Sequence, residues 1–227
     1  GESDEMARVI DAALFDLDGV IAFTDKYHYL GWKRLAEEEG WDFSEELNHQ
    51  LRGVSRMASL QVILDHNGVE LSEEEKKRLA DRKNGYYRKL LEDINEGDLY
   101  PGALEFVSAL RERGVATALA SGSKNAMTVV ESLGLGEYFD AFVTGHDLSR
   151  SKPDPEIFTL SAKRVEVPPE HCVVFEDAES GIEAGLAAGM YCVGVGEADR
   201  LPSAKQSFTD YAEIDVDALV ETGSIKR

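Results

Sequence analysis

The stretch Phe15-Asp16-Leu17-Asp18-Gly19-Val20 closes an apolar run made by Val9, Ile10, Ala12, Ala13 and Leu14. A short apolar run that stops abruptly at two carboxylates and a glycine reads as a buried strand whose carboxyl end opens into a loop. That is where open parallel sheets bind ligands. Residues i and i+2 of an extended segment share a face, so Asp16 and Asp18 can reach one small volume beyond the strand. Two negative charges held that close repel, and a shared proton or a divalent cation keeps them together. A pair of solvated turn aspartates fits D-x-D-G equally well. Residues later in the chain separate the two.

From about Asp25 to Asn95 the texture is helical, with few β-branched runs. Tyr27, Leu30, Trp32 and Leu35 fall at helical spacings, and Gly40 after Glu37-Glu38-Glu39 predicts a stop. Asp42-x-x-Glu45 and Ser72-x-x-Glu75 have the capping-box pattern, and Asn67-Gly68 ends a segment carrying Met57, Leu60, Ile63 and Leu64. From Tyr100-Pro101-Gly102 onward, strands and helices alternate. Strands are predicted at Val115–Ala120, Ala141–Val143, Cys172–Phe175 and Cys192–Val195. The helices between them are predicted through Leu104–Leu110, Asn125–Leu133, Ile157–Arg164 and Gly181–Ala188, with a last one over Asp215–Val220. Alternation of this kind makes an α/β fold, a Rossmann-like parallel sheet with helices on both faces and right-handed crossovers.

The helical stretch interrupts that alternation after the first strand. Residues 1–24 and 96–227 are therefore expected to form an α/β catalytic core, and residues 25–95 an inserted all-helical cap. Rooted at the carboxyl end of a strand, such an insert is expected over the active-site edge as a lid that opens and closes.

The chain of 227 residues is long enough to bury roughly 70% of its unfolded surface. Its 44 acidic and 24 basic residues leave a formal charge of −20, which repels nucleic acid and anionic membrane. An anionic substrate would need a local cluster of Lys and Arg. Cys172 and Cys192 lie in separate apolar runs without C-x-x-C spacing, as buried reduced thiols of a cytoplasmic protein do. No signal-peptide pattern opens the sequence, and the Ala184–Gly196 stretch is too short to span a bilayer. A monomer without nucleic-acid or membrane partners is expected.

Four predicted strand ends carry polar chemistry: Asp16 and Asp18, then Ser121, then the Lys152 loop, then Glu176 and Asp177. In a parallel sheet these ends share one edge. A carboxylate nucleophile, a hydroxyl donor, one cation and two further acids suit a magnesium-bound phosphoryl group. Taken singly, each has a bland reading as a turn residue, a surface cation or a solvated loop. The ordered set is specific.

That order resembles the haloacid dehalogenase superfamily, in its phosphatase and phosphomutase branch with an inserted helical cap. Within it the sequence is similar to the β-phosphoglucomutases nearly end to end. The likeness includes Thr24, His28, Trp32 and Lys33, Gly53-Val54-Ser55-Arg56, Arg82-Lys83-Asn84 and Tyr100-Pro101-Gly102. It continues through Leu119-Ala120-Ser121-Gly122-Ser123-Lys124-Asn125, Ser151-Lys152-Pro153 and Glu176-Asp177. The chain departs from the pattern at Phe23, where an acidic residue is usual, at Ala22 beside it, at Ala178, where Ser is common, and at Gly122, where Ala is frequent.

The resemblance implies that Asp16 is the nucleophile and is transiently phosphorylated. It implies Mg2+ on Asp16, the Asp18 carbonyl, Glu176 and Asp177, with Lys152 and Ser121 on the phosphoryl oxygens. Asp18 would be general acid and base. Thr24, Trp32, Lys33, Gly53, Lys83, Gly122, Ser123, Lys124 and Asn125 would line the site for a small phosphorylated sugar. Arg56 suits bidentate anchoring of a far phosphate, against the alternative of a solvated helix-start residue. His28 is either a packed helix histidine or a residue coupling cap closure to Asp18. The implied activity is a phosphomutase between β-D-glucose 1-phosphate and glucose 6-phosphate, with a sugar-phosphate phosphatase as the alternative.

Overall fold

The computed structural model describes residues 8–227. The first seven residues, which the sequence assigns to the core and which are expected to carry no targeting pattern, lie outside the described residues. The chain divides into two compact units, one of residues up to Phe23 together with Glu96–Arg227, the other Thr24–Asn95.

The larger unit holds a six-stranded sheet: β1 (Ala12–Phe15), β2 (Ala116–Ala120), β3 (Ala141–Val143), β4 (Cys172–Glu176), β5 (Tyr191–Val195) and β6 (Ser207–Phe208). All pairings are parallel, in the order β3-β2-β1-β4-β5-β6. The strand order reverses between β1 and β4, which puts the topological switch point at the carboxyl end of β1. Phe15 is in register with Leu119 on one side and Phe175 on the other. Asp16, Ala120 and Glu176 thus stand at one level of the same edge.

The α-helices, in chain order, are α1 (Asp25–Glu39), α2 (Glu45–His49), α3 (Arg56–Asn67) and α4 (Glu73–Leu90). After these come α5 (Ala103–Glu112), α6 (Ala126–Leu133), α7 (Glu156–Val165), α8 (Glu179–Ala187) and α9 (Val216–Thr222). Side chains alternate across a strand, and β1 divides accordingly. Ala12 and Leu14 pack with Ile157 and Phe158 of α7 and Ile182 and Ala184 of α8. Phe15 faces the opposite side, with Phe106 of α5 and a stacked Phe175 at 4.8 Å. Helices therefore cover both faces, which explains why β1 and β4 are buried along their whole length. Cys172 and Cys192 are buried and free.

The smaller unit packs Trp32 and Leu35 of α1, Leu60, Ile63 and Leu64 of α3, and Leu79 and Ala80 of α4 into one apolar cluster. Three of its four α-helices, α2 to α4, start at serines: Ser44, Ser55 and Ser72 each accept a backbone N–H one turn on. The capping box expected from Asp42 does not form. Ser44 lies closer to the apolar run and takes the N-cap, while the Asp42 carboxylate pairs with His66 Nε2 at 2.8 Å and its carbonyl accepts from Asn67. At Ser72 the hydroxyl caps the helix and donates to the Glu75 carboxylate. Strand β6 is not legible in the sequence, because two residues make no apolar run. Among the described residues no helix is long and apolar enough to cross a membrane.

Candidate active site

β1 delivers Asp16 and β4 delivers Glu176 to the switch point, side by side. One carboxylate oxygen each of Asp16, Glu176 and Asp177 lie within 4.8 Å of one another. The Glu176 side chain is fully buried, while those of Asp16 and Lys152 keep 14% and 15% of their exposure. Lys152 Nζ sits 3.6 Å from Asp16 Oδ2 and makes an ion pair with Glu176 Oε1. Asp16 Oδ1 accepts the Leu17 N–H at 2.8 Å, which fixes the carboxylate plane.

Three acids facing one lysine leave net negative charge in a low-dielectric place. Burial, then the neighbouring Asp16 charge, push the Glu176 carboxyl up, against the pull of Lys152; burial and the same charge push Asp177 well up. Burial alone would lower the Lys152 ammonium, but Asp16 and Glu176 outweigh it and hold Lys152 charged. The three acids fit a divalent cation in number, donor type and convergence.

Two glycines make the approach possible. A Cβ on Gly19 would lie 2.1 Å from Asp177 Oδ2, and Gly19 also has φ +77°, so both the turn and the space exclude a side chain. A Cβ on Gly181 would lie 2.0 Å from the Glu176 carboxyl carbon. The sequence marks Gly181 only by its position five after Glu176, near the start of a helix.

Asp18 sits on the loop after β1. Its backbone forms a parallel bridge to Ala22, and the Gly19 N–H donates to the Ala22 carbonyl at 2.8 Å. Ser121 directly follows β2; its N–H donates to the Val143 carbonyl and its hydroxyl oxygen accepts from Ser123 N–H at 3.2 Å, an arrangement that still allows the O–H to donate. Gly122 and Lys124 are exposed, Ser123 and Asn125 half-buried, on the turn into α6. That turn rests on Gly145, whose Cβ would lie 2.4 Å from the Gly122 carbonyl oxygen.

Within the helical unit, Lys83 of α4 and His28 of α1 meet. Lys83 Nζ is 2.8 Å from His28 Nδ1 and lies over the Trp32 and Tyr87 rings at 4.6 and 4.8 Å. His28 stacks on Tyr87 at 3.8 Å. Arg56, the first residue of α3, is half-buried and 4.0 Å from Asp81. Thr24 is buried before α1, and Gly53 takes φ +71° in the turn before α3. Lys33 stays outside this cluster on the exposed side of α1, 4.0 Å from Glu37.

Burial, then the Arg56 charge, bring Lys83 down to about 7 from 10.5. Burial, with Lys83 and then Arg56, also lowers His28. Between about 7 and 10.5 the unfolded chain holds a proton on Lys83 that the folded chain does not, so stability rises with pH across that window. Below it the full penalty is present. Lys83→Met is therefore expected to raise stability at pH 6 by a few kcal/mol, tenfold in a proton equilibrium being worth about 1.4 kcal/mol. The gain should fade toward pH 10. Urea denaturation across pH checks this, and a gain independent of pH would contradict it.

Comparison with known proteins gives this geometry its relatives. The model of the haloacid dehalogenase-like hydrolases matches residues 10–189. A β-phosphoglucomutase of Bacillus subtilis is 37% identical over 92% of this chain and 94% of its own length. A phosphorylated-carbohydrates phosphatase of Thermotoga maritima is 35% identical over 80% of this chain and 82% of its own. The crystal structure of a β-phosphoglucomutase from Clostridium difficile superposes with a TM-score of 0.85 at 38% identity, covering 92% of this chain and 95% of that one. With a switch-point carboxylate cluster and this extent of likeness, the chain belongs to the haloacid dehalogenase-like hydrolase family.

Proposed function

We propose that the chain is a β-phosphoglucomutase of the cytoplasm, interconverting β-D-glucose 1-phosphate and glucose 6-phosphate through an aspartyl phosphate and glucose 1,6-bisphosphate. The carboxylates of Asp16, Glu176 and Asp177 and the main-chain carbonyl of Asp18 would hold Mg2+, which when bound supplies positive charge to the phosphoryl oxygens. Lys152 supplies a further positive charge beside Asp16, and the Ser121 hydroxyl a donor.

An Asp16 carboxylate oxygen attacks phosphorus, a new P–O bond forms and the bond to the sugar oxygen breaks. The Asp18 carboxylic acid gives its proton to that departing oxygen. In the return step the Asp18 carboxylate takes the proton of the sugar hydroxyl that attacks the aspartyl phosphate, and the Asp16 carboxylate is released. A bisphosphate has a second end. Arg56 is the anchor proposed for the far phosphate, with Lys83, Ser123, Lys124 and Asn125 on the sugar or that phosphate, and Thr24, His28, Trp32, Lys33, Gly53 and Gly122 shaping their surroundings.

The observation that carries this reading over a phosphatase is the buried Lys83, with Arg56 for a neighbour, in a chain of net charge −20. Arg56 and a Lys83 amine that a bound anion would draw back to its charged form, set together against that background, suit a second anionic group, which a mutase needs. The Thermotoga relative keeps the phosphatase as the competing reading.

Incubation with β-glucose 1-phosphate, Mg2+ and a trace of glucose 1,6-bisphosphate tests the proposal. Glucose 6-phosphate should form far faster than free phosphate, a chelator should stop it reversibly, and Arg56→Ala should cut isomerisation much more than hydrolysis of a small phosphate ester. Free phosphate accumulating as fast as substrate disappears would make the protein a phosphatase.

A further inference from the structure

Phe23 is the last residue before the helical unit and Tyr100 lies just after the chain returns. Their segments pair as a short antiparallel ribbon: Phe23 N–H donates to the Asp98 carbonyl at 2.7 Å, Tyr100 N–H to the Ile21 carbonyl at 2.8 Å, and Ala22 bridges Leu99. Phe23 is 43% exposed, a large apolar side chain left partly in water. Its ring nevertheless stacks on Tyr100 at 4.9 Å and 27°. Tyr100 meets Tyr211 edge-on at 5.2 Å, and Tyr211 reaches Phe106 at 5.2 Å. Phe106 in turn contacts Phe15 and Phe175 at 6.0 and 5.3 Å.

This series of rings ends on the residues that immediately precede Asp16 and Glu176. It begins on the ribbon that holds the Asp18 loop. Within that loop the Leu17 carbonyl accepts from Ile21 and Ala22, Gly19 N–H is bonded to Ala22, and the buried Tyr211 hydroxyl donates to the Val20 carbonyl at 2.7 Å. Leu17, Val20 and Ile21 are buried and hold the loop from its inner side. On the outer side the Phe23 ring is laid against Tyr100, whose hydroxyl donates to the Thr209 carbonyl. Aromatic pairs are worth about 0.5–1.5 kcal/mol beyond burial and resist sliding because their geometry is specific.

We infer that Phe23, through its stack on Tyr100, is a positioning residue that holds the Asp18 loop in register with the strand ends bearing Asp16 and Glu176. It touches none of the reacting atoms. Its loss should loosen Asp18 and leave Asp16 in place on β1. The inference rests on the proposed acid–base role of Asp18, and the two can fail separately.

Two rates distinguish them. Phosphorylation of Asp16 by acetyl phosphate expels acetate, which leaves as an anion and needs no proton. Transfer between the aspartyl phosphate and a sugar hydroxyl needs the Asp18 proton shuttle. Phe23→Ala should lower kcat for β-glucose 1-phosphate by about tenfold, misplacement of a catalytic group by a fraction of an ångström being enough. Labelling by acetyl phosphate should stay within about twofold of wild type, and Phe23→Trp should restore the sugar rate by restoring a ring face.

Equal losses in both rates, a rise in KM at unchanged kcat, no change in either rate, or a failure of Phe23→Trp to rescue would each overturn the inference. Phe23 is 43% exposed, so truncation should leave the fold standing. Were Phe23→Ala poorly folded, Phe23→Leu keeps the bulk, removes the ring and carries the same comparison. A wild-type protein that labels with acetyl phosphate yet does not isomerise the sugar phosphate would instead overturn the mutase reading.

Discussion

Asp16→Asn is expected to abolish both isomerisation and phosphate-ester hydrolysis, by at least about 10⁴-fold, or roughly 5.5 kcal/mol of barrier. The amide is a poor nucleophile and cannot carry an acyl phosphate, so no residue remains at the end of β1 to accept the phosphoryl group. The same substitution should leave stability in the absence of metal close to that of wild type. Asp16 raises the carboxyls of Glu176 and Asp177 and also holds Lys152 charged, so removing it relieves a repulsion and forfeits an attraction. Loss of activity with a nearly unchanged melting temperature separates removal of the nucleophile from unfolding. Turnover within tenfold of wild type would refute the assignment.

Lys152→Ala should also be severe, with a different companion effect. Lys152 sets its charge 3.6 Å from the Asp16 carboxylate and directly on Glu176. Attack of an anion on an anion needs that charge, and losing one preorganised donor of this kind costs about 10²–10³-fold in kcat. Here stability should fall as well. Glu176 is wholly buried, and stripping its partner leaves an uncompensated buried acid, a change worth about 3–5 kcal/mol where the acid stays ionised. Mg2+ should recover part of that stability. A metal-free Lys152→Ala protein as stable as wild type, or a rate loss under about threefold, would place Lys152 outside the charge balance of the site.

The contrast between these two variants rests on features that are unequally legible in the sequence. The ends of β1, β2 and β4 can be read because each is an apolar run cut off by polar residues, and a parallel sheet puts all such ends on one edge. The convergence of Asp16, Glu176 and Asp177 is therefore visible once the alternation of strands and helices is recognised. The burial of Lys83 is not. It stands between Arg82 and Asn84 in a helix whose first turn is Glu73-Glu74-Glu75, which reads as a solvated face. Only the packing of α1 against α4 brings Trp32 and His28 onto it, beside Tyr87 one turn further along α4 itself.

The ring series from Phe23 to Phe15 is hidden for a similar reason. Its members come from separate stretches of chain, and nothing local marks Tyr211 as their link. At Asp42 the difficulty is one of competition, since Ser44 offers the same capping chemistry two residues later and Asp42 is needed by His66 and Asn67.

Asp16 is proposed to carry the phosphoryl group between two positions of one sugar. Rapid quenching of the protein with Mg2+ and glucose 1,6-bisphosphate, then mass mapping and a chase, tests this. A single phosphate is expected on the peptide containing Asp16, labile to hydroxylamine as an acyl phosphate is. A chase with β-glucose 1-phosphate should transfer that phosphate to the sugar faster than to water. Phosphate found on Ser121 or elsewhere, or released to water at the same rate with and without the sugar, would contradict it.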